Sequence, residues 1–405
     1  MADNVQPFQI NIPDNLIQSV KDRLATATFP DEVNFSDDWD YGATLSDVKR
    51  LANYWKDGFD WRAQEAKLNQ VPQFTTNVVV EGFGEIAVHF VHQRNSNPNS
   101  IPLLFCHGWP GSFIEALKLI PLLTASAGGP SFHLVAPSLP NYAFSDGVKK
   151  RGFSIPQYAE ALHKVMLNLN YPKYVTQGGD WGFAITRMLG VKYPQNVLAS
   201  HLNFVRVHKP PTALATPWQY LKHAVLPYEA SEKAGLARSS WFRNEGFGYN
   251  LLQSTKPSTL GFALADSPVA LLAWIYEKLH DWSDDYPWTD DEILTWVSLY
   301  QFSKAGPEAS VRIYYETKHG NPEQEGKVLD YVPGVELGLS YFPKDLVVPP
   351  KTWGRTLGPV VFESVHPDGG HFAAHERPKE LADDLRNMFG KGGGAYHVAE
   401  KFGNV

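Results

Sequence analysis

Residues 178–182 read G-G-D-W-G, an acidic side chain between small residues at the spacing of a sharp strand-to-helix turn. Turns of this spacing usually present serine as a nucleophile, but the central residue here is Asp180. A helix start favours negative charge, so Asp180 would be presented outward as a carboxylate. The turn alone leaves two readings open: a carboxylate that attacks substrate, or an acidic helix cap.

Nucleophilic chemistry needs partners, which in a sheet of this kind follow in the order nucleophile, acid, histidine. Residues 365–378 read V-H-P-D-G-G-H-F-A-A-H-E-R-P. His371 follows two glycines, as a histidine on a loop at a strand end would, and His366 and His375 compete with it. Asp345 in F-P-K-D-L, just after the strand-like G-L-S-Y-F, could hold a histidine by its ring N–H. Taken singly, these are also an ordinary turn aspartate and structural histidines. A tetrahedral intermediate would need two backbone N–H donors. One belongs to the residue after Asp180, which is Trp181, and the other to the loop H-G-W-P-G at 107–111, which carries Trp109. That loop also reads as a plain Gly/Pro turn.

These residues require a scaffold. From about residue 100, short apolar runs (103–106, 132–136, 174–176) alternate with helix-period runs (113–123, 157–169, 183–191). Such alternation predicts an α/β fold, a parallel sheet with helices on both faces. It lapses between about 207 and 330, where helical patterns rich in Trp and Tyr dominate, with a capping-box signature at Thr289 and Glu292. It resumes at 338–343 and 360–365, and 379–389 reads as a closing helix. Upstream, Leu16, Val20 and Leu24 share a helix face, residues 1–75 look helical with loops, and 75–93 read as two strands. The expected organisation is an N-terminal segment (1–95), a core in two parts (96–206 and 331–395) interrupted by a helical cap (207–330), and a tail (396–405). The cap would lie over the carboxyl ends of the strands, where such sheets bind ligands.

Bulk properties exclude several classes. The 405 residues, 43% hydrophobic and 20% charged, describe an ordinary globular protein. A net charge of −7 argues against nucleic acid as the main partner. The single cysteine, Cys106, rules out a disulfide framework within the chain and reads as a buried strand residue. The first ten residues have neither a basic region nor an apolar one, so no secretory signal is expected. The apolar stretch 267–279 is too short to span a bilayer. A soluble, cytoplasmic protein without a membrane anchor is the expectation, and a homodimer is left open. There is no Walker loop, no H-E-x-x-H and no complete dinucleotide loop, so no metal or organic cofactor is expected.

With these residues in place, the chain resembles the microsomal-type epoxide hydrolases, a branch of the α/β-hydrolase fold. The resemblance runs through W-R-A-Q-E-A-K-L-N-Q-V-P-Q-F (61–74), H-G-W-P-G-S-F-I-E-A-L-K-L-I-P-L-L-T (107–124), G-G-D-W-G, Q-S-T-K-P-S-T-L-G-F-A-L-A-D-S-P-V (253–269), F-P-K-D-L (342–346) and G-G-H-F-A-A (369–374). It implies that Asp180 is the nucleophile, Asp345 the acid and His371 the base. It also implies that two cap tyrosines, Tyr249 and Tyr314, hold the epoxide oxygen, with Tyr315 an adjacent alternative. The amides of Trp109 and Trp181 would form the oxyanion hole, and Trp109, Trp181 and Phe372 an apolar slot for a small epoxide, with water as co-substrate. Members of that group often carry an N-terminal anchor, none is expected here from the first residues, and an apolar residue is more usual where His375 stands. The resemblance explains the aspartate: a serine opening an epoxide would leave an ether, whereas an aspartate leaves an ester that activated water can hydrolyse. A haloalkane dehalogenase-like hydrolase would share the aspartate but would not need the phenols, since a halide leaves without a proton. A non-catalytic ligand-binding member of the fold is the third reading.

Overall fold

The structure, a computed structural model, describes residues 4–125 and 129–403. Its strands are β1 (Val5–Phe8), β2 (Gln73–Val80), β3 (Gly84–Gln93), β4 (Ile101–Cys106), β5 (Phe132–Pro137), β6 (Tyr174–Gly178), β7 (Val197–Leu202), β8 (Glu336–Tyr341) and β9 (Val360–Val365). They form one mixed sheet in the order β1-β2-β3-β5-β4-β6-β7-β8-β9. The pairings from β1 to β5 are antiparallel and those from β5 to β9 are parallel. Every residue of β4, β5 and β6 is buried, as a strand covered on both faces requires; the apolar run of β4 supplies this outright, and β5 and β6 bury His133, Thr176 and Gln177 as well. The helices Ile155–Asn168 and Trp181–Lys192 pack together over β2, β4 and β6, while Ile120–Thr124 and Pro378–Phe389 pack together over β5, β8 and β9. This is the mostly parallel sheet with covering helices that strand–helix alternation predicts.

Three local expectations change. Val5–Phe8 is not helix or loop but a strand antiparallel to β2; four residues containing a proline carry almost no local signal, and the pairing comes from the sheet edge. The run at 113–123 is not one helix. A short turn, Phe113–Ala116, is closed by a Ser112–Glu115 capping box, and a new helix, Ile120–Thr124, begins with Pro121, whose missing N–H suits a helix start. The expected tail contains a helix, Tyr396–Glu400, that buries Val398 and Ala399; residues 404–405 lie outside the described residues.

Between β7 and β8 the chain is helical, from Pro217–Val225 to Pro322–Gly326. The Thr289–Glu292 capping box opens the helix Asp290–Gln301, as its sequence predicts. The N-terminal segment does more than extend the sheet: it braces these helices. Arg23 donates to the carbonyls of Ala265 and Asp266 at 3.1 Å each. Arg50 pairs with Asp290 at 2.5 Å, and Tyr54 and Gln64 donate to Asp291 at 2.9 and 3.0 Å. Trp39 stacks on His280 at 3.5 Å. Among the described residues no single helix is long and apolar enough to cross a membrane.

The helix Trp181–Lys192 is pressed against the end of β4. A Cβ on Gly182 would sit 1.9 Å from the Cys106 carbonyl oxygen, which is backbone and cannot swing aside. Gly182→Ala should therefore lower the unfolding free energy by about 1–3 kcal/mol or more, read from the denaturant midpoint at unchanged slope.

Candidate active site

β6 ends at Gly178 and the helix Trp181–Lys192 starts three residues later, which leaves Asp180 at the corner with φ 49° and ψ −123°. A non-glycine residue there is strained and persists only when its surroundings impose it. The surroundings do so. Gly108 lies so close that a Cβ on it would fall 2.1 Å from Asp180 Oδ1. That proximity puts the H-G-W-P-G loop in reach, and the Trp109 N–H donates to Asp180 Oδ1 at 2.7 Å. Trp181 opens the helix, so its N–H has no partner within the helix.

On the other side of the carboxylate, His371 Nε2 lies 3.4 Å from Asp180 Oδ2. Its Nδ1 is bonded to Asp345 Oδ1 at 2.6 Å, and the same Asp345 oxygen accepts the Leu346 N–H at 2.7 Å. Asp345 is 2% exposed and His371 6%. Burial disfavours a charged imidazole, but the flanking carboxylates of Asp345 and Asp180 outweigh it and raise His371 to about 10. The His371 N–H donates to the Trp282 carbonyl at 2.7 Å, and the rings of Trp282 and Phe204 meet the imidazole edge to face. The competing histidines are occupied elsewhere. His366 bonds Asp384 at 2.7 Å, and His375 stacks on Trp288 and bonds Glu292 at 3.2 Å.

A cavity of about 370 Å³ lies over Asp180, of the size that takes a small organic ligand. Tyr249 and Tyr314 line it, their ring centres 5.8 Å apart. Both are buried, and burial followed by nearby charge raises both phenols above their ordinary range. Tyr314 turns its hydroxyl to Tyr249 inside the cavity, whereas Tyr315 bonds Arg151 at 3.1 Å and stacks on His319. The geometry thus places Tyr314, not Tyr315, beside Asp180. Of the expected apolar slot, only Trp181 lines this cavity. Trp109 stands behind Tyr249, stacked at 5.4 Å, and Phe372 packs against Trp282 and Trp296. The remaining apolar lining comes from Leu346, in F-P-K-D-L, and from Phe204, Phe242, Phe247 and Val347, which no motif had singled out.

Further contributors were not apparent from the sequence. A second cavity of about 10 Å³, about the volume of one water, is lined by Asp180, His371, Glu115 and Asn203 among others. Glu115 is the closing residue of the Ser112 capping box, and burial raises its carboxyl to about 8. Gln177 donates to Asn203 at 2.6 Å. From the helix Asp290–Gln301, the Trp296 indole donates to the Pro110 carbonyl, and the Tyr300 hydroxyl donates to that of Gly111 at 2.6 Å. The loop carrying the Trp109 N–H is therefore pinned from the helical insertion. Of these, only Glu115, Pro110 and Gly111 fall in a stretch singled out by sequence, 107–124.

Sheet order, corner aspartate and the order of its partners define an α/β-hydrolase. The profile described as "Epoxide hydrolase N terminus" matches residues 5–116, and that described as "alpha/beta hydrolase fold" matches 101–223. A putative epoxide hydrolase of Stigmatella aurantiaca is 37% identical over 398 residues, 95% of this chain and 84% of that one. Epoxide hydrolase 1 of Sus scrofa is 32% identical over 412 residues, 96% of this chain and 89% of that one. Among solved structures, Aspergillus niger epoxide hydrolase superposes with a TM-score of 0.81 at 36% identity, covering 94% of each chain. The juvenile hormone epoxide hydrolase of the silkworm Bombyx mori does so with 0.86 at 28% identity, covering 100% of this chain and 96% of that one. The chain belongs to the epoxide hydrolase family.

The flanking carboxylates account for the raised His371. Asp345→Asn removes one of them, so burial gains weight and the imidazole pKa should fall. A titration of the ring by NMR checks this; an unmoved value would mean the Asp345 charge does not set it.

Proposed function

We propose that this epoxide hydrolase opens its substrate through an ester on Asp180. Asp180 Oδ2 attacks one ring carbon, the C–O bond of the ring breaks, and the electron pair goes to the epoxide oxygen. That oxygen takes a proton from Tyr314 or Tyr249. Water then attacks the ester carbon of Asp180 while His371 Nε2 takes its proton, and Asp345 holds the ring in place from Nδ1. The N–H groups of Trp109 and Trp181 carry the charge of the tetrahedral oxyanion, each such donor being worth roughly 3 kcal/mol. Its collapse releases the vicinal diol, whose leaving oxygen recovers the proton from His371. Glu115 and Asn203, beside Asp180 and His371, orient the attacking water.

One observation carries this reading: the Asp180 carboxylate has a donor on Oδ1, a histidine at Oδ2 and a cavity with two phenols over it. The phenols also weigh against a dehalogenase, because a halide needs no proton. The histidine chemistry is self-timed. His371 is raised to about 10 by two anions, so it is protonated in the resting enzyme. Esterification removes the Asp180 charge, so the ring gives its proton to the tyrosinate left by the first step and becomes neutral, the form that can take a proton from water. The substrate class follows from family and cavity together: small, mainly apolar epoxides, with water.

Two measurements test the assignment. Asp180→Ala should lose at least about 10⁴-fold in turnover, and His371→Gln should accumulate an alkylated enzyme detectable by mass. In a single turnover in heavy-oxygen water, the label should enter the Asp180 carboxylate and leave the diol unlabelled. Label only in the diol would mean direct attack by water and would overturn the ester. In the wild type, breakdown of the ester should speed up as pH rises through the lowered His371 pKa, because only the neutral ring acts as base.

A further inference from the structure

The cavity over Asp180 is not uniformly apolar. Beside its phenylalanines it is lined by Arg206, Lys209, Arg243 and His208, and Asp180 is the only acidic residue in its lining. Arg206, Lys209 and Arg243 form no ion pair among the described residues. Two neighbouring arginines of the fold, Arg238 and Arg187, are by contrast spent on backbone carbonyls. Arg206 is half-buried, with its guanidinium carbon 5.9 Å from the Trp181 ring centre, one indole away from the reacting carboxylate. His208, Lys209 and Arg243 are exposed, at the solvent side of the cavity. In a chain of net charge −7, uncompensated cations collected on one wall of the substrate cavity stand out.

We propose that Arg206, Lys209 and Arg243 form a subsite for an anionic group on the substrate, so that the enzyme takes epoxides with an apolar body and a carboxylate at the far end. Three features support this. Guanidinium and ammonium groups lining a partly apolar cavity attract a carboxylate more strongly than the same groups in open water. The apolar lining between that wall and Asp180 suits the hydrocarbon linking carboxylate to epoxide. Arg206 lies by the Trp181 ring, so an anion paired with it is neutralised locally and does not face Asp180 unscreened. This rests on Asp180 attacking within this cavity, as proposed above.

The test compares a medium-chain epoxy-alkanoic acid with its methyl ester, which differ in charge but not in epoxide, and uses styrene oxide as a third substrate. In the wild type the acid should exceed the ester by about tenfold in kcat/KM, mainly through KM, an increment of about 1.4 kcal/mol. The preference should shrink as salt is raised, because partly exposed pairs are screened. In the triple variant Arg206→Gln, Lys209→Gln, Arg243→Gln the acid-to-ester ratio should fall to about one. Because the readout is a ratio within one enzyme, partial loss of folded protein does not alter it. A wild-type ratio of one or below, or a ratio unmoved by the triple variant, would overturn the subsite while turnover of the ester and styrene oxide continues. Absence of turnover on all three substrates would instead refute the epoxide reading itself.

Discussion

The site depends on one steric fact: the helix after β6 starts in contact with the end of β4. Gly182 lies under the Cys106 carbonyl, Gly108 lies against Asp180, and neither position has room for a Cβ. This contact holds Asp180 at positive φ, a conformation that costs about 1–3 kcal/mol by itself. It also brings the Trp109 N–H to 2.7 Å from the carboxylate. If the helix moved outward, the strain would relax and the donor would be lost together with it. The position of the Asp180 carboxylate and the Trp109 N–H bonded to it are thus two consequences of one packing contact.

Around that corner, charge is arranged in a buried line of alternating sign: Asp345, His371, Asp180. Buried charges are tolerable only when each is paired and hydrogen-bonded. Asp345 meets this condition through His371 and the Leu346 N–H. His371 depends in addition on the helical insertion, since its backbone N–H is held by the Trp282 carbonyl. The insertion also fixes the opposite side of the site, through Trp296 and Tyr300 on the Pro110 and Gly111 carbonyls. It therefore positions core residues as well as covering them. Its own position is set by the N-terminal segment, through Arg50, Tyr54 and Gln64 on Asp290 and Asp291.

What was legible in the sequence follows from this. The corner, its glycines and the order of its partners are local patterns, so Asp180, Asp345 and His371 could be picked out before any fold was known. Choosing His371 over His366 and His375 rested on the glycines before it, and the structure shows the other two bonded to Asp384 and Glu292. Tyr249 and Tyr314 were two of 18 tyrosines, and only the family resemblance separated them, because what distinguishes them is position across a cavity. Glu115 lies inside the stretch 107–124 that carries the family resemblance, but its nearness to Asp180 and His371 is tertiary. The strand Val5–Phe8 was invisible, since its partner lies some seventy residues away. The basic wall of the cavity left no trace either: Arg206 and Lys209 share the segment after β7, but Arg243 comes from the helical insertion and joins them only in the fold.

The phenols and the imidazole share one control. Burial raises both tyrosines, and the Asp180 charge raises them further. The same charge helps to hold His371 at about 10. In the proposed cycle, attack on the epoxide consumes that charge and moves it to the alkoxide. The tyrosines then become better acids at the moment a proton is required, and His371 becomes a better base for the step that follows. A serine at position 180 would carry no such charge and could not link the two steps. The aspartate thus does more than form an ester that water can cleave: its charge keeps acid and base in their resting states until the substrate has reacted.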